Sequence, residues 1–162
     1  MNYKIICSLD MAGATEGVAL MKQVGSLVLV PPVRQRVLEY LEDCDAYMAH
    51  AGVMVDRDFL SHARNLKVVG SPSTGTDHMD LVALKERGIE VFHIANELKL
   101  LNSFTATAEH AFGLMFAVSR NLVPSVLSAK QGLWKRDQFV GMQFSKKTLG
   151  ILGLGRLGKI AA

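Results

Sequence analysis

Cysteine is scarce in this sequence, and the two cysteines that are present do not form a recognisable pattern. Cys7 and Cys44 lie far apart among the 162 residues and lack the spacing of a zinc site, so we predict neither a disulfide framework nor a metal site. A reducing compartment fits this composition. Cys7 follows an apolar run, and we expect it to be a small buried hydrophobic residue.

Long apolar runs and basic clusters are missing as well. The longest apolar stretch, residues 24–33, is interrupted by glycine, serine and two prolines and is too short to span a bilayer. The N-terminus lacks the pattern of a signal peptide, and we therefore expect a cytoplasmic protein. The formal net charge is +3, and the two adjacent basic pairs are not interleaved with aromatic residues, which argues against binding to nucleic acid.

What the sequence does contain, over its first hundred residues, is a regular alternation of β-rich and helical segments. We predict strands at residues 3–7, 26–30, 45–49, 66–70 and 89–93. We predict helices at residues 14–23, 33–41, 56–64 and 80–87. The connections suit only crossover units, so the pattern indicates an α/β protein with a parallel sheet and helices on both faces. Ligands of such sheets bind beyond the carboxyl ends of the strands, here the loops 50–55, 71–77 and 93–102.

The pattern changes near residue 100, where we place a domain boundary. A long helix is predicted over residues 103–120 with Ser103 as its cap, and a second helix runs from Pro124 to about Lys130. An extended arm at 134–145 and a strand at 148–152 follow.

A glycine motif follows that last segment directly. Gly153, Gly155 and Gly158 fit the pattern G-x-G-x-x-G, in which the first glycine permits a tight turn, the second admits a diphosphate and the third allows close helix packing. The motif is weak evidence by itself, but it has the preceding apolar segment that a dinucleotide site requires. The alternative is a glycine-rich turn without a ligand.

Two parts of a complete dinucleotide-binding unit would lie beyond Ala162. These are the next parallel strand and the acidic residue expected about 20 positions after the motif. We therefore expect a chain truncated after the glycine motif, either as a cut piece or as the product of a truncated gene.

Three groups of residues resemble one family, the D-isomer-specific 2-hydroxyacid dehydrogenases, which include D-3-phosphoglycerate dehydrogenase and glyoxylate reductase. They are residues 65–80, with Gly-Thr-Asp-His-Met-Asp at their end, residues 105–121 and residues 147–158. Residues 1–64 match the family only in the order of their elements. The resemblance implies a flavodoxin-like substrate lobe over residues 1–101. Residues 102–162 would then hold the hinge helix, the dimerisation arm and the start of a Rossmann domain.

The same resemblance implies an NAD- or NADP-dependent oxidoreductase that passes hydride between nicotinamide and C2 of a small D-2-hydroxy acid. It also implies a homodimer formed through residues 103–145, with Trp134 either an interface anchor or a core residue. The family's catalytic arginine, glutamate and histidine lie C-terminal to the glycine motif, so we assign no catalytic residue in this chain.

For the substrate, the resemblance points to the backbone amides of Ser73, Thr74 and Gly75, which would hold the carboxylate as a nest of N–H donors. A plain turn is the alternative. His50 lies at a strand end, where it could contact the substrate. His78 stands between two aspartates, and we predict a turn with helix caps there in preference to a metal site.

For the cofactor, the resemblance implies contacts from the hinge helix and from the glycine motif. Thr107 would touch the cofactor, although a packed helical threonine is an equal alternative. The diphosphate would be bound by the glycine motif, that is by Gly153, Gly155, Arg156, Leu157 and Gly158.

Two departures from the family pattern bear on the substrate. Phosphoglycerate-specific members place an arginine in the loop after the third strand, where this chain offers only His50. Ser71 and Pro72 replace a basic residue that many members carry. We therefore expect a substrate without a phosphate. The other functions considered are an inert binding or dimerisation module and a different Rossmann enzyme, such as a relative of homocysteine hydrolase or alanine dehydrogenase.

Overall fold

The computed structural model describes residues 3–162, which divide into two compact units. The first unit ends at Glu97, and the second comprises Leu98–Ala162.

The first unit is built on a parallel sheet of five strands. Its order is β2-β1-β3-β4-β5, and every neighbouring pair runs parallel. The strands are β1 (Tyr3–Cys7), β2 (Gly25–Leu29), β3 (Ala46–Met48), β4 (Val68–Ser71) and β5 (Glu90–His93). This strand order is that of flavodoxin, and it confirms the predicted α/β fold class.

Four helices connect these strands at the predicted places in the chain, although α2 and α3 are shorter than the predicted segments 33–41 and 56–64. They are α1 (Thr15–Val24), α2 (Arg34–Leu38), α3 (Arg57–Ser61) and α4 (Leu81–Glu86). Asp56 and Asp80 cap α3 and α4 by accepting hydrogen bonds from the amides of Phe59 and Ala83, at 2.8 and 2.9 Å. A short 3-10 turn, Ile94–Asn96, follows β5.

The core lies on one face of the sheet. Ile6, Tyr47 and Val69 occupy paired positions on β1, β3 and β4 and are fully buried on this face. Phe59 of α3 packs on Tyr47 with their ring centroids 5.4 Å apart. Cys7 is also fully buried, as a free thiol, which confirms that it is a small buried hydrophobic residue.

The opposite face of the sheet is less covered. Ala46, Met48 and Val68 are half-buried there, and Phe92 is 61% exposed. These four residues, together with Met21 of α1, line a cavity of about 470 Å³. The two faces of the sheet therefore differ strongly in their burial.

The second unit is mainly helical and differs from the prediction at its start. Its helices are α5 (Leu98–Asn102), α6 (Ala106–Ser119), α7 (Leu122–Lys130) and α8 (Arg156–Ala161). The helix predicted to begin at Ser103 begins instead at Ala106, so Ser103 is not its cap. Ser103 directly follows the separate helix α5, and its hydroxyl donates to the carbonyl of Leu100 at 2.6 Å.

The strand predicted over residues 148–152 is wrong. Within residues 3–162 the five named strands pair only with one another, and this segment is neither strand nor helix. An extended segment becomes a strand only when a neighbour pairs with its backbone. Its apolar residues Leu149, Ile151 and Leu152 are exposed as a result.

The arm predicted over residues 134–145 has no strand and only one 3-10 turn, Arg136–Gln138. Trp134 is 94% exposed, so it does not pack into the core of the described chain.

No single helix among residues 3–162 has the length and hydropathy to cross a membrane. Leu98–Ser119 and Leu122–Lys130, bent by 65°, reach that length and composition only as a pair.

The core of the first unit predicts a clear difference between two leucines of α4. Leu84 is fully buried and Leu81 is 43% exposed. Leu84→Ala should lower the free energy of unfolding by about 2–5 kcal/mol, because it removes buried methyl groups and leaves a cavity. Leu81→Ala, the matched control, should change it by about 0.5 kcal/mol or less. Urea denaturation of both variants measures this, and equal losses would contradict the described packing.

Candidate functional site

The carboxyl ends of β3 and β4 bring two predicted substrate segments together. The strands pair in parallel from Ala46↔Val68 to Met48↔Gly70, so the loops that follow them leave the same edge of the sheet. The loops are joined again further on, where the amide of Val55 donates to the carbonyl of His78 at 2.8 Å and the amide of Asp80 donates to the carbonyl of Val55 at 2.9 Å.

The loop after β4 presents three consecutive backbone amides without a partner. Among residues 3–162, the N–H groups of Ser73, Thr74 and Gly75 donate to no acceptor. The side chain of Thr74 is exposed and that of Ser73 is half-buried. Adjacent free N–H donors at the edge of a parallel sheet are the chemistry that an anion such as a carboxylate requires.

Side-chain hydrogen bonds hold this loop from beneath. Ser71 and His78 are almost fully buried, at 4% and 5% exposure. The His78 Nε2 atom lies 3.2 Å from Ser71 Oγ, and Ser71 Oγ lies 2.8 Å from Ser73 Oγ. Burial lowers the pKa of His78, although the charge of Asp77 opposes this effect. As predicted, His78 lies in a turn with a helix cap at Asp80, but its bond to Ser71 was not anticipated.

His50 lies two residues after β3 with its ring half-buried. The amide of Gly52 donates to its Nδ1 at 2.9 Å, so in the neutral ring the proton is on Nε2. No residue of the described chain accepts from that Nε2–H. The ring therefore offers a hydrogen-bond donor at the same edge of the sheet as the three amides.

A buried hydroxyl pair anchors the start of the His50 loop. Ser8 Oγ lies 2.8 Å from the Tyr47 hydroxyl and accepts from the His50 amide at 3.1 Å. Burial raises the pKa of Tyr47 to about 12, and the hydrogen bond between Tyr47 and Ser8 opposes the rise. Tyr47 thus stays protonated and holds the loop throughout the physiological pH range.

Within the second unit, each glycine of the motif meets a different structural requirement. Gly153 has φ +95°, a conformation that residues with a Cβ rarely adopt. A Cβ on Gly158 would lie 2.1 Å from the carbonyl oxygen of Gly153, so the turn and the start of α8 are in contact. A Cβ on Gly155 would meet nothing within 4 Å, which leaves open space at the turn. These are the three properties that a diphosphate-binding turn requires.

Arg156 and Leu157 are the first two residues of α8, whose first amides have no partner inside the helix. The Arg156 guanidinium donates to the carbonyls of Leu101 and Phe104, at 2.8 and 3.2 Å. The side chain thereby joins the glycine turn to the segment before α6, a contact that spans more than 50 residues and that the sequence did not reveal. Thr107 lies in the first turn of α6 with its side chain exposed.

The predicted site residues thus form one group in each unit. Among residues 3–162 there is no group of three or more histidine, cysteine, aspartate or glutamate side chains that could bind a metal ion. The group in the first unit can bind an anion and donate a hydrogen bond from His50. The group in the second unit can bind a phosphate at the glycine turn.

Comparison with known proteins relates this arrangement to one family. The model of the D-isomer specific 2-hydroxyacid dehydrogenase catalytic domain matches residues 7–147. The chain is 34% identical over 145 residues to D-3-phosphoglycerate dehydrogenase of Methanocaldococcus jannaschii, an alignment covering 89% of this chain and 27% of that protein. It is 36% identical over 129 residues to the Homo sapiens enzyme of the same name, covering 80% and 23%. The chain therefore spans about a quarter of the length of these relatives.

Solved structures agree with the family model. The TT0316 protein of Thermus thermophilus superimposes with a TM-score of 0.84 at 26% identity, over 98% of this chain and 51% of that chain. D-Lactate dehydrogenase of Aquifex aeolicus, complexed with NAD and lactic acid, has a TM-score of 0.74 at 23% identity, over 98% and 46%. An acyclic imino acid reductase in complex with NADPH and D-Arg has a TM-score of 0.72 at 21% identity, over 98% and 51%. The last two show the shared fold.

These matches confirm the family that the motifs predicted; the family model spans the motifs at residues 65–80 and 105–121 and ends at residue 147, where the third motif begins. The family model covers most of the chain, and it includes residues 7–64, where the motifs are absent. The chain belongs to the D-isomer specific 2-hydroxyacid dehydrogenase family.

Proposed function

We propose that this chain provides the substrate-carboxylate loop and the diphosphate-binding turn of an NAD(P)-dependent oxidoreductase acting on a small D-2-hydroxy acid. The observation that carries the proposal is the glycine turn, where Gly153, Gly155 and Gly158 each meet a distinct requirement of a diphosphate site. Relatives of the same fold that were solved with NAD and with NADPH support a nicotinamide cofactor. The proposed cofactor is either NAD or NADP.

In this proposal the first unit binds the substrate and orients it. The amides of Ser73, Thr74 and Gly75 bind the carboxylate, and the Nε2–H of His50 donates to a second substrate oxygen. The chemistry that a bound nicotinamide supplies is hydride transfer to or from C2 of the substrate. No residue of this chain is assigned the accompanying proton transfer, since the family's acid–base histidine is expected C-terminal to the glycine motif.

We propose a substrate without a phosphate group. Residues 49–55 and 71–77 contain neither lysine nor arginine, so neither loop offers a bidentate partner for a phosphate. The relatives carry the names of phosphoglycerate and lactate dehydrogenases, so membership in the family does not determine whether the substrate carries a phosphate.

The two buried free thiols fit a reducing compartment, and we propose a cytoplasmic protein.

A second candidate function is that of an inert module that associates with another copy through residues 103–145. The observation that favours it is the exposure of apolar side chains there, with Val118 at 77%, Trp134 at 94% and Val140 at 79%. We include a homodimer formed through residues 103–145 in the main proposal as well, so association alone does not distinguish the two functions. Oxidation of NADH or NADPH in the presence of 2-oxoacids would exclude the inert module.

The glycine turn yields a first test. Gly155→Val places a side chain in the open space of the turn, so the complete protein should keep its melting temperature and lose at least about tenfold in NADH or NADPH affinity. Gly113→Ala is the control, because a Cβ in the middle of α6 also meets nothing within 4 Å and lies outside the turn. Fluorescence titration measures both variants. Unchanged cofactor affinity in Gly155→Val would exclude the turn as a diphosphate site.

His50 yields a second test. His50→Asn keeps an acceptor for the Gly52 amide but lacks the N–H at the far side of the ring. We expect the KM for the 2-oxoacid to rise about 10- to 100-fold, the effect of losing a hydrogen bond to a charged group, while the cofactor KM stays constant. His62→Asn, at an exposed histidine on the same unit, is the control. A substrate KM that does not respond would remove His50 from the site.

A further inference from the structure

The hydroxyls beneath the carboxylate loop form a chain of hydrogen bonds that runs in one direction. Ser73 Oγ donates to the carbonyl oxygen of Gly75 at 2.7 Å, which uses the only proton of that hydroxyl. The 2.8 Å contact between Ser71 Oγ and Ser73 Oγ must therefore be donated by Ser71. The proton of Ser71 is then also used.

The same count determines the state of His78. Its Nε2 lies 3.2 Å from Ser71 Oγ, which has no proton left to donate to the ring. Nε2 must therefore carry a hydrogen and donate it. The direction of the whole chain runs from His78 through Ser71 and Ser73 to the carbonyl of Gly75.

His78 also contacts the other substrate loop. Its backbone carbonyl accepts from the amide of Val55, which follows the His50 loop. The side chain thus holds the loop after β4 while the backbone holds the loop after β3. One buried residue joins the two groups that would bind the substrate.

We propose that His78 is a positioning residue that orients the carboxylate-binding amides of residues 73–75 through Ser71 and Ser73. This inference rests on the proposed function of that loop. His78 does not touch the substrate, because it lies beneath the loop at 5% exposure. Its role is to hold the free amides in one geometry, so that binding does not have to order them.

The direction of these hydrogen bonds can be tested without an activity assay. In the protein labelled with ¹⁵N, the His78 ring should be the Nε2–H tautomer at neutral pH, and its Nε2–H should show slow exchange because it is buried and hydrogen-bonded. Ser71→Ala should accelerate that exchange and shift the amide resonances of Ser73 and Gly75. A ring protonated only at Nδ1 would overturn the proposal.

The functional test uses three variants of the complete protein. His78→Leu and Ser71→Ala each break the chain and should raise the KM for the 2-oxoacid about 5- to 20-fold, with a smaller change in kcat and none in the cofactor KM. His78→Gln retains an N–H donor at a similar reach and should restore most of the affinity. The double variant should be no weaker than the weaker single variant, since both substitutions remove one and the same chain.

Two outcomes separate this inference from the proposed function. If the unaltered protein shows no 2-oxoacid-dependent oxidation of NADH or NADPH, the proposed function fails and the role of His78 fails with it. If the unaltered protein is active and Ser71→Ala and His78→Leu keep its substrate KM, only the role of His78 is overturned. Should His78→Leu unfold, as shown by its melting temperature, Ser71→Ala and His78→Gln still decide between these outcomes.

Discussion

Parallel pairing between β3 and β4 determines where the first unit can bind an anion. The pairing places Met48 beside Gly70, and the Met48 side chain occupies the space of a Cβ on Gly70, whose ideal position lies 2.7 Å from the Met48 sulfur. Because the strands run parallel, both following loops leave the sheet together. His50 and the amides of residues 73–75 lie at the same edge of the sheet for that reason, although they are more than 20 residues apart in the sequence.

Buried polar side chains maintain this arrangement. Ser8 with Tyr47 fastens one loop, and Ser71 with His78 fastens the other. A buried hydroxyl or imidazole without a partner costs about 1–3 kcal/mol, so each of these groups is stable only while its loop keeps its position. The side chains satisfy one another beneath the loops, and the amides of residues 73–75 have no acceptor among residues 3–162. The same network thus provides both stability and a vacant row of donors.

The second unit achieves its site by backbone geometry. A left-handed glycine, a contact between two glycines and an open position are combined within six residues, and none of the three depends on a charged side chain. The one cation of the turn, Arg156, donates instead to carbonyls near the end of α5, where a positive charge is favourable. In the proposed function this side chain holds the turn against the segment before α6, and the backbone amides hold the phosphate.

The sequence by itself determined the features that depend on local chemistry. The five strands and four helices of the first unit follow from the spacing of apolar residues, the aspartates before α3 and α4 from capping, and the turn from its glycines. Only the tertiary structure decided what depends on distant partners. Residues 148–152 have the composition of a strand, yet pairing is non-local and no described segment supplies it. The bonds of His78 to Ser71 and of Arg156 to Leu101 are likewise invisible in the sequence, because hydrogen bonding depends on distances that only the folded chain defines.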